Sequence, residues 1–124
     1  MQASVVVSLL ISTTLKAETS EFVKRAIVTS AIENREPVDE LSNVSSDIGK
    51  VYFFTEVVNK ANTHVTHRWL LNGRLEAEVV LKIGSARWRT YSSKTLIPAI
   101  HSGNWQVEAI DEQNNLLATA VFTY

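Results

Sequence analysis

Apolar residues recur at every second position along most of the chain after Glu18, and this spacing predicts strands rather than helices. The segment 74–83 alternates most regularly, with one apolar face made of Leu75, Ala77, Val79, Leu81 and Ile83. The segment 63–71 alternates in the same way, and only Asn72-Gly73 separates the two. Because Asn-Gly readily takes the positive φ angles of a tight type I′ turn, the pattern predicts a β-hairpin over residues 63–83.

Five further segments have strand character and are separated by turns rich in Asn, Gly, Pro or Ser: residues 22–33, 50–59, 86–93, 105–111 and 116–124. The segment 50–59 is apolar on both faces, which is typical of a strand at the centre of a sheet. About seven strands without a substantial helix predict an all-β fold. The expected architecture is an antiparallel immunoglobulin-like β-sandwich.

The N-terminus carries an uncharged run, Ala3 to Leu15, followed by Lys16 and Ala17. The run is too short for a transmembrane helix, which needs about 20 apolar residues. It has the length of the apolar core of a secretory signal, with Ala17 as the cleavage residue. We therefore expect residues 1–17 to be a signal peptide or the end of a membrane anchor, with a buried strand as the alternative. Residues 18–124 are then a single exported domain, periplasmic or envelope-associated and not inserted in the membrane after cleavage.

Composition narrows the range of functions. The 12 basic and 13 acidic residues give a formal net charge of -1, which argues against non-specific binding of nucleic acid. The chain has no cysteine, so disulfides, thiolate nucleophiles and cysteine-bound zinc are excluded. Nothing in the sequence calls for a cofactor.

The stretch ARWRTYSSKT at residues 86–95 alternates cationic and bulky side chains. On a strand, Trp88, Thr90 and Ser92 share one face and Arg87, Arg89, Tyr91 and Ser93 share the other. One interpretation is a solvated outer face whose arginines pair with Glu56, Glu76 or Glu78. The other adds the outward Arg68 and predicts one cationic, aromatic surface that binds an anionic or sugar ligand. The candidate ligand-binding residues are Arg68, Arg87, Arg89 and Tyr91, with His67 beside them.

Two other constellations have weaker chemistry. His64 and His67 are three residues apart, which places them on opposite faces of a strand, so a shared metal site is not expected. His67 lies on the Trp69 face, and this position favours a hydrogen-bonded histidine in the core or at its rim over a ligand-binding one. Ser92-Ser93-Lys94 offers a serine near a lysine, but no Gly-rich turn or helix N-terminus supplies an oxyanion hole. We assign no catalytic residue.

Several motifs together resemble an uncharacterised bacterial family, the domain of unknown function numbered twenty-nine fourteen. They are Arg35-Glu36-Pro37, Phe54-Thr55-Glu56, His67-Arg68-Trp69, and Trp88-Arg89 followed by Ser92-Ser93-Lys94. The similarity runs from about Val23 to Tyr124. Ala99-Ile100-His101 departs from the pattern, because the family tends to have an aromatic residue in this loop. The resemblance implies an envelope-associated or membrane-tethered β-domain and transfers no catalytic residue.

The sequence therefore predicts a non-catalytic extracytoplasmic binding module for a cell-envelope glycan or another anionic ligand. A protein-interaction or structural domain of an envelope assembly is the alternative, and a serine/lysine hydrolase is the least favoured hypothesis. A glycan or an envelope protein is the expected partner.

Overall fold

A computed structural model describes residues 18–124, which form antiparallel β-sheets and one short helix. Seven long strands and three two-residue strands occur in these residues. In chain order the elements are β1 (Glu18–Thr19), β2 (Val23–Thr29), β3 (Ile32–Glu33), β4 (Glu36–Pro37), β5 (Lys50–Val58), β6 (His64–Leu71), β7 (Arg74–Lys82), β8 (Arg87–Thr95), α1 (Pro98–His101), β9 (Asn104–Ile110) and β10 (Leu116–Thr123). The all-β prediction is confirmed. The predicted leader or anchor at residues 1–17 lies outside the described residues.

Two larger sheets contribute apolar side chains to one core. A five-stranded sheet has the order β1-β10-β9-β6-β7, and a three-stranded sheet has the order β2-β5-β8. The two sheets are in contact at Phe53 on β5 and His67 on β6, whose ring centroids are 4.6 Å apart. As predicted from its two apolar faces, β5 is the central strand of its sheet.

The β6–β7 hairpin forms as predicted around Asn72 and Gly73, whose φ angles are 49° and 83°. The inward face predicted for 74–83 is wrong at its first residue. Trp69 pairs with Ala77 and Leu70 pairs with Leu75, so Glu76 is an extra residue in β7. This bulge reverses the alternation, and Leu75 therefore lies exposed beside the outward-facing Leu70.

The pattern predicted one strand over residues 22–33, but the structure has two strands there, β2 and β3. β2 ends at Thr29, where Asp39 accepts hydrogen bonds from the Thr29 hydroxyl (2.7 Å) and the Ser30 amide (2.8 Å). The chain then turns back as the small β3–β4 hairpin, which packs beside β2. Two smaller differences concern the segment predicted at 86–93: the strand there, β8, extends to Thr95, and the turn region after it contains the short helix α1.

Among residues 18–124, no helix has the length and apolar character needed to cross a membrane.

Candidate functional site

The outer face of the three-stranded sheet carries a row of charged residues, one from each strand. Arg25 on β2 is opposite Glu56 on β5, and Glu56 is opposite Arg89 on β8. Arg87 lies two residues before Arg89 on the same face. The predicted facing of β8 is confirmed, because Ser92 is buried and Trp88 packs against the core while Arg87 and Tyr91 are exposed.

Glu56 is a nearly buried carboxylate held between two arginines. Its side chain is 6% exposed. Arg25 Nε donates to Glu56 Oε1 at 2.7 Å, and Arg87 Nε donates to Glu56 Oε2 at 2.6 Å. Burial raises the pKa of Glu56, but the hydrogen bonds from Arg25 and Arg87 outweigh it, and the net pKa is lowered. Glu56 is therefore an ionised anchor that fixes both guanidinium groups.

Glu36, on the β3–β4 hairpin, supplies a second carboxylate to the same arginines. Arg25 Nη1 and Nη2 donate to its two oxygens at 2.7 and 2.9 Å, which is a bidentate fork. Arg89 Nη1 donates to Glu36 Oε2 at 2.5 Å. The hydrogen bonds from Arg25 and Arg89 lower the pKa of Glu36 to about 2. The charges thus alternate in the order Arg87, Glu56, Arg25, Glu36 and Arg89.

These residues line an open groove of about 660 Å³ on the outer face, which we call the cationic groove. Its lining has five cationic and two anionic side chains, a local charge of +3: Lys24, Arg25, Arg35, Arg87, Arg89, Glu36 and Glu56. Lys24 and Arg35 are both exposed, and neither is in an ion pair within residues 18–124. The groove therefore has positive charge that its own carboxylates do not neutralise.

Tyr91 lies on β8 beside the cationic groove but is not one of the residues that line it. It lies two positions after Arg89 on the same face, and the residue is 45% exposed. Its ring meets that of Tyr52 edge-on, with centroids 6.0 Å apart. A partly exposed aromatic ring therefore stands in the row next to the arginines.

Arg68 does not join this surface, so the predicted grouping of four residues is wrong. Arg68 is on β6 of the five-stranded sheet, whose outer face is on the opposite side of the fold. It lies between Glu78 and Glu108, at 3.6 and 3.9 Å. Period-two alternation predicts which way Arg68 and the β8 arginines face, but it does not predict the sheet to which each strand belongs.

His67 is also separated from the groove, because it is fully buried between the sheets. Its Nδ1 is 2.7 Å from Ser92 Oγ, and its Nε2 is 3.1 Å from Thr55 Oγ1. Trp69 Nε1 donates to the same Ser92 oxygen at 3.1 Å. Burial lowers the pKa of His67 to about 3, so the ring is neutral and links the two sheets. The alternative interpretation of His67 as a core histidine is the correct one.

The two serines of the Ser92-Ser93-Lys94 motif lie on opposite faces of β8. Ser92 is buried against His67 and Trp69, while Ser93 lies on the outer face of β8. In the described part of the chain, neither serine is hydrogen-bonded to Lys94. Residues 18–124 also contain no cluster of three metal-ligating side chains.

Sequence reasoning missed four of the groove residues: Lys24, Arg25, Arg35 and Glu36. A signal for them was present in Glu56, a single carboxylate inside the apolar strand 50–58. A carboxylate at a central strand position needs cationic partners on its neighbours. Lys24-Arg25 is the basic pair on the strand before it.

A family described as Protein of unknown function (DUF2914) matches residues 62–124. The matched segment runs from just before β6 to the end of the described chain and contains Arg87, Arg89 and Tyr91. The search of curated proteins found no match to the chain.

Proposed function

Since the chain belongs to the DUF2914 family, whose description states no activity, we propose a function from the groove itself: a non-catalytic extracytoplasmic module that binds an anionic glycan of the cell envelope. The observation that carries the proposal is the excess of positive charge in the cationic groove, with five cations around two carboxylates. Arg87, Arg89 and Tyr91 are its ligand-binding residues from the sequence prediction, and Lys24, Arg25 and Arg35 complete the set.

The paired arginines keep donors for a ligand. A guanidinium has five N–H groups, and Arg87 uses Nε for Glu56 while Arg89 uses Nη1 for Glu36. The remaining N–H groups are held in fixed directions by these carboxylates, which reduces the entropy lost when a ligand binds. Lys24 and Arg35 add charge at the rim.

Tyr91 favours a sugar over a simple anion. An exposed aromatic ring beside cationic groups contacts the apolar face of a sugar ring while the cations bind its acidic substituents. The proposed site is therefore shaped for a chain of sugars with charged groups rather than for a single small ion.

The strand order supports an immunoglobulin-like sandwich as the scaffold. Of the seven long strands, the first, second and fifth form one sheet, and the others form the second sheet. Immunoglobulin constant domains differ only in placing the fourth strand beside the fifth. Trp69 on the third strand is fully buried and contacts Phe53 on the second, as the tryptophan of immunoglobulin domains packs on that strand's cysteine.

The exported location is part of the same proposal and depends on the apolar run at residues 3–15. It predicts a signal or anchor function for residues 1–17. Fusing these residues to a periplasmic reporter enzyme should export it, and a reporter retained in the cytoplasm would contradict this part of the proposal.

Calorimetric titration with oligogalacturonate, an acidic oligosaccharide, tests the binding function. We expect saturable binding that weakens as salt is added, and a loss of about tenfold for Arg35→Ala or Arg89→Ala. Arg74→Ala is the matched control, because it removes the same charge from an exposed position on the other sheet. Equal binding of all variants, including Arg87→Ala, would overturn the proposal.

A protein-interaction role is the second candidate, favoured by the exposed strand β7. β7 is an edge strand of nine residues, and Val80 on its outer side is 64% exposed. An edge of this kind can pair with an extended segment of another envelope protein. Crosslinking in envelope extracts should then capture a partner that Val80→Lys loses, while a partner retained by Val80→Lys would contradict this candidate.

A further inference from the structure

We infer that Arg25 is a receptor for a planar carboxylate, and that Glu36 of the β3–β4 hairpin occupies this receptor until a ligand carboxylate displaces it. The inference rests on the proposed function, because it names the chemical class of the anion and the regulation of the same groove. The Glu36 carboxylate then occupies the place of the ligand carboxylate while it remains attached to the hairpin.

The guanidinium of Arg25 is fixed before any ligand arrives. Its Nε is bonded to the nearly buried Glu56, and its Cζ lies 4.9 Å from the centroid of the Phe54 ring. Glu56 is itself held from its other side by Arg87. These contacts leave the Nη1 and Nη2 edge of Arg25 free to face a second carboxylate, which is the geometry that a fork-shaped donor needs.

The position in front of that edge already holds a carboxylate. Glu36 receives both Nη donors of Arg25 and one Nη donor of Arg89, so three charged N–H groups converge on its two oxygens. A uronate carboxylate has the same shape and charge. It can take the same three hydrogen bonds if Glu36 leaves.

Exchange of one carboxylate for the other is inexpensive, because the pairs that Glu36 makes are open to water. The side chains of Arg25, Glu36 and Arg89 are 36%, 42% and 36% exposed. At this exposure water solvates the Glu36 carboxylate once it is released, so displacement leaves no charge buried and unpaired. The pair between Arg25 and Glu56 is different, since Glu56 is nearly buried and stays in place.

The hairpin is attached in a way that lets its tip move by itself. Its base is fixed by Asp39, bonded to Thr29 and Ser30, and by the Val38 amide, bonded to the Ala31 carbonyl at 3.1 Å. Its strands have only two residues each, next to a turn at Asn34-Arg35. Releasing Glu36 therefore frees the tip while the base remains docked on β2.

Displacement also changes the charge that the ligand meets. With Glu36 out of the groove, five cations face one carboxylate, and the local charge rises from +3 to +4. A single small carboxylate has to compete with a tethered one, whose effective concentration is on the order of millimolar. A ligand with several carboxylates also reaches Lys24 and Arg35, and it is the class that the groove selects.

Titration of Glu36 variants with oligogalacturonate tests the inference. Glu36→Gln and Glu36→Asp both break the fork on Arg25, and Glu36→Asp does so without changing the net charge. We expect both variants to bind the probe roughly threefold to tenfold tighter than the unmodified protein. Glu33→Gln is the matched control, because Glu33 is opposite Glu36 in the same hairpin but is in no ion pair within residues 18–124. It should change the affinity by less than about twofold.

Each other outcome separates the two proposals. Equal tightening by Glu33→Gln and Glu36→Gln, or no tightening by Glu36→Asp, overturns the inference and leaves the proposed function standing. An equal gain in affinity for dextran sulfate overturns the carboxylate class. If neither the unmodified protein nor any variant binds either polyanion, the proposed function itself fails. In the unmodified protein, NMR should show the amide signals of Arg35 and Glu36 shifting as the probe binds, and unchanged signals at saturation would also overturn the displacement.

Discussion

Mild acid is expected to weaken the fold through one side chain, His67. The ring is fully buried, and both of its nitrogens are already engaged by Ser92 and Thr55. Burial lowers its pKa from 6.5 to about 3. The folded protein therefore keeps a neutral His67 at a pH at which the unfolded chain binds a proton there.

The direction and the size of the change in the free energy of unfolding follow from this difference in proton binding. Below pH 6.5 the unfolded state binds more protons at His67, so the free energy of unfolding falls as the pH falls from 6.5 towards 3. The slope is about 1.4 kcal/mol per pH unit, which gives a loss of about 2 kcal/mol at about pH 5. The contribution is complete above pH 6.5. The window above about pH 5 is useful because ordinary carboxyl groups remain ionised there.

Urea denaturation at several pH values between about 5 and 7.5 measures the effect. His67→Gln keeps a donor and an acceptor but cannot titrate, so its free energy of unfolding should be nearly independent of pH in this range. His64→Gln, which changes an exposed histidine on the same strand, is the control and should keep the slope of the unmodified protein. If the unmodified protein and His67→Gln have the same slope, the account of His67 as a buried neutral link is wrong.

Three further predictions concern the core, the turn and the groove. Ser92→Ala removes the partner of both Trp69 Nε1 and His67 Nδ1 and should cost roughly 2–4 kcal/mol in urea denaturation, whereas Ser93→Ala on the outer face should change little. Gly73→Ala should cost about 1 kcal/mol, because its φ of 83° strains any side chain although no atom lies within 4 Å of the added carbon; Gly49→Ala, equally open but without a positive φ, should be neutral. The pKa of Glu36 is lowered from 4.5 to about 2 by its arginines, so its contribution to stability is complete above pH 4.5 and is lost between 4.5 and 2. NMR of its carboxyl carbon should find it ionised at about pH 3, and a protonated Glu36 there would contradict the fork.

Local patterns of the sequence predicted the parts of the fold that depend on local chemistry. The β6–β7 hairpin follows from Asn72-Gly73, because the backbone of those two residues selects the turn. The facing of β8 follows from period-two alternation, because a buried core fixes which side of a strand is apolar. Leu75 shows the limit of the rule, since one bulged residue reverses the faces beyond it.

The groove depends on contacts that local patterns do not encode. Arg25 and Glu56 are 31 residues apart, and Glu36 and Arg89 are 53 apart. Arg68 and Arg89 have the same local pattern, yet long-range strand pairing places them on opposite sides of the fold. The arginines could therefore be recognised as outward-facing from the sequence, while their partners and their grouping required the sheet order.

The alternating order of the five charged residues makes the groove unequally tolerant of change. Each carboxylate has two guanidinium partners, so removing any one arginine leaves both glutamates paired. Removing Glu56 instead deprives Arg87 of its one partner among the described residues and leaves like charges adjacent on the sheet. A randomised library selected only for folding should therefore retain Glu56 more often than any of the arginines. Selection for ligand capture should instead retain the rim cation Arg35 more often than Glu56.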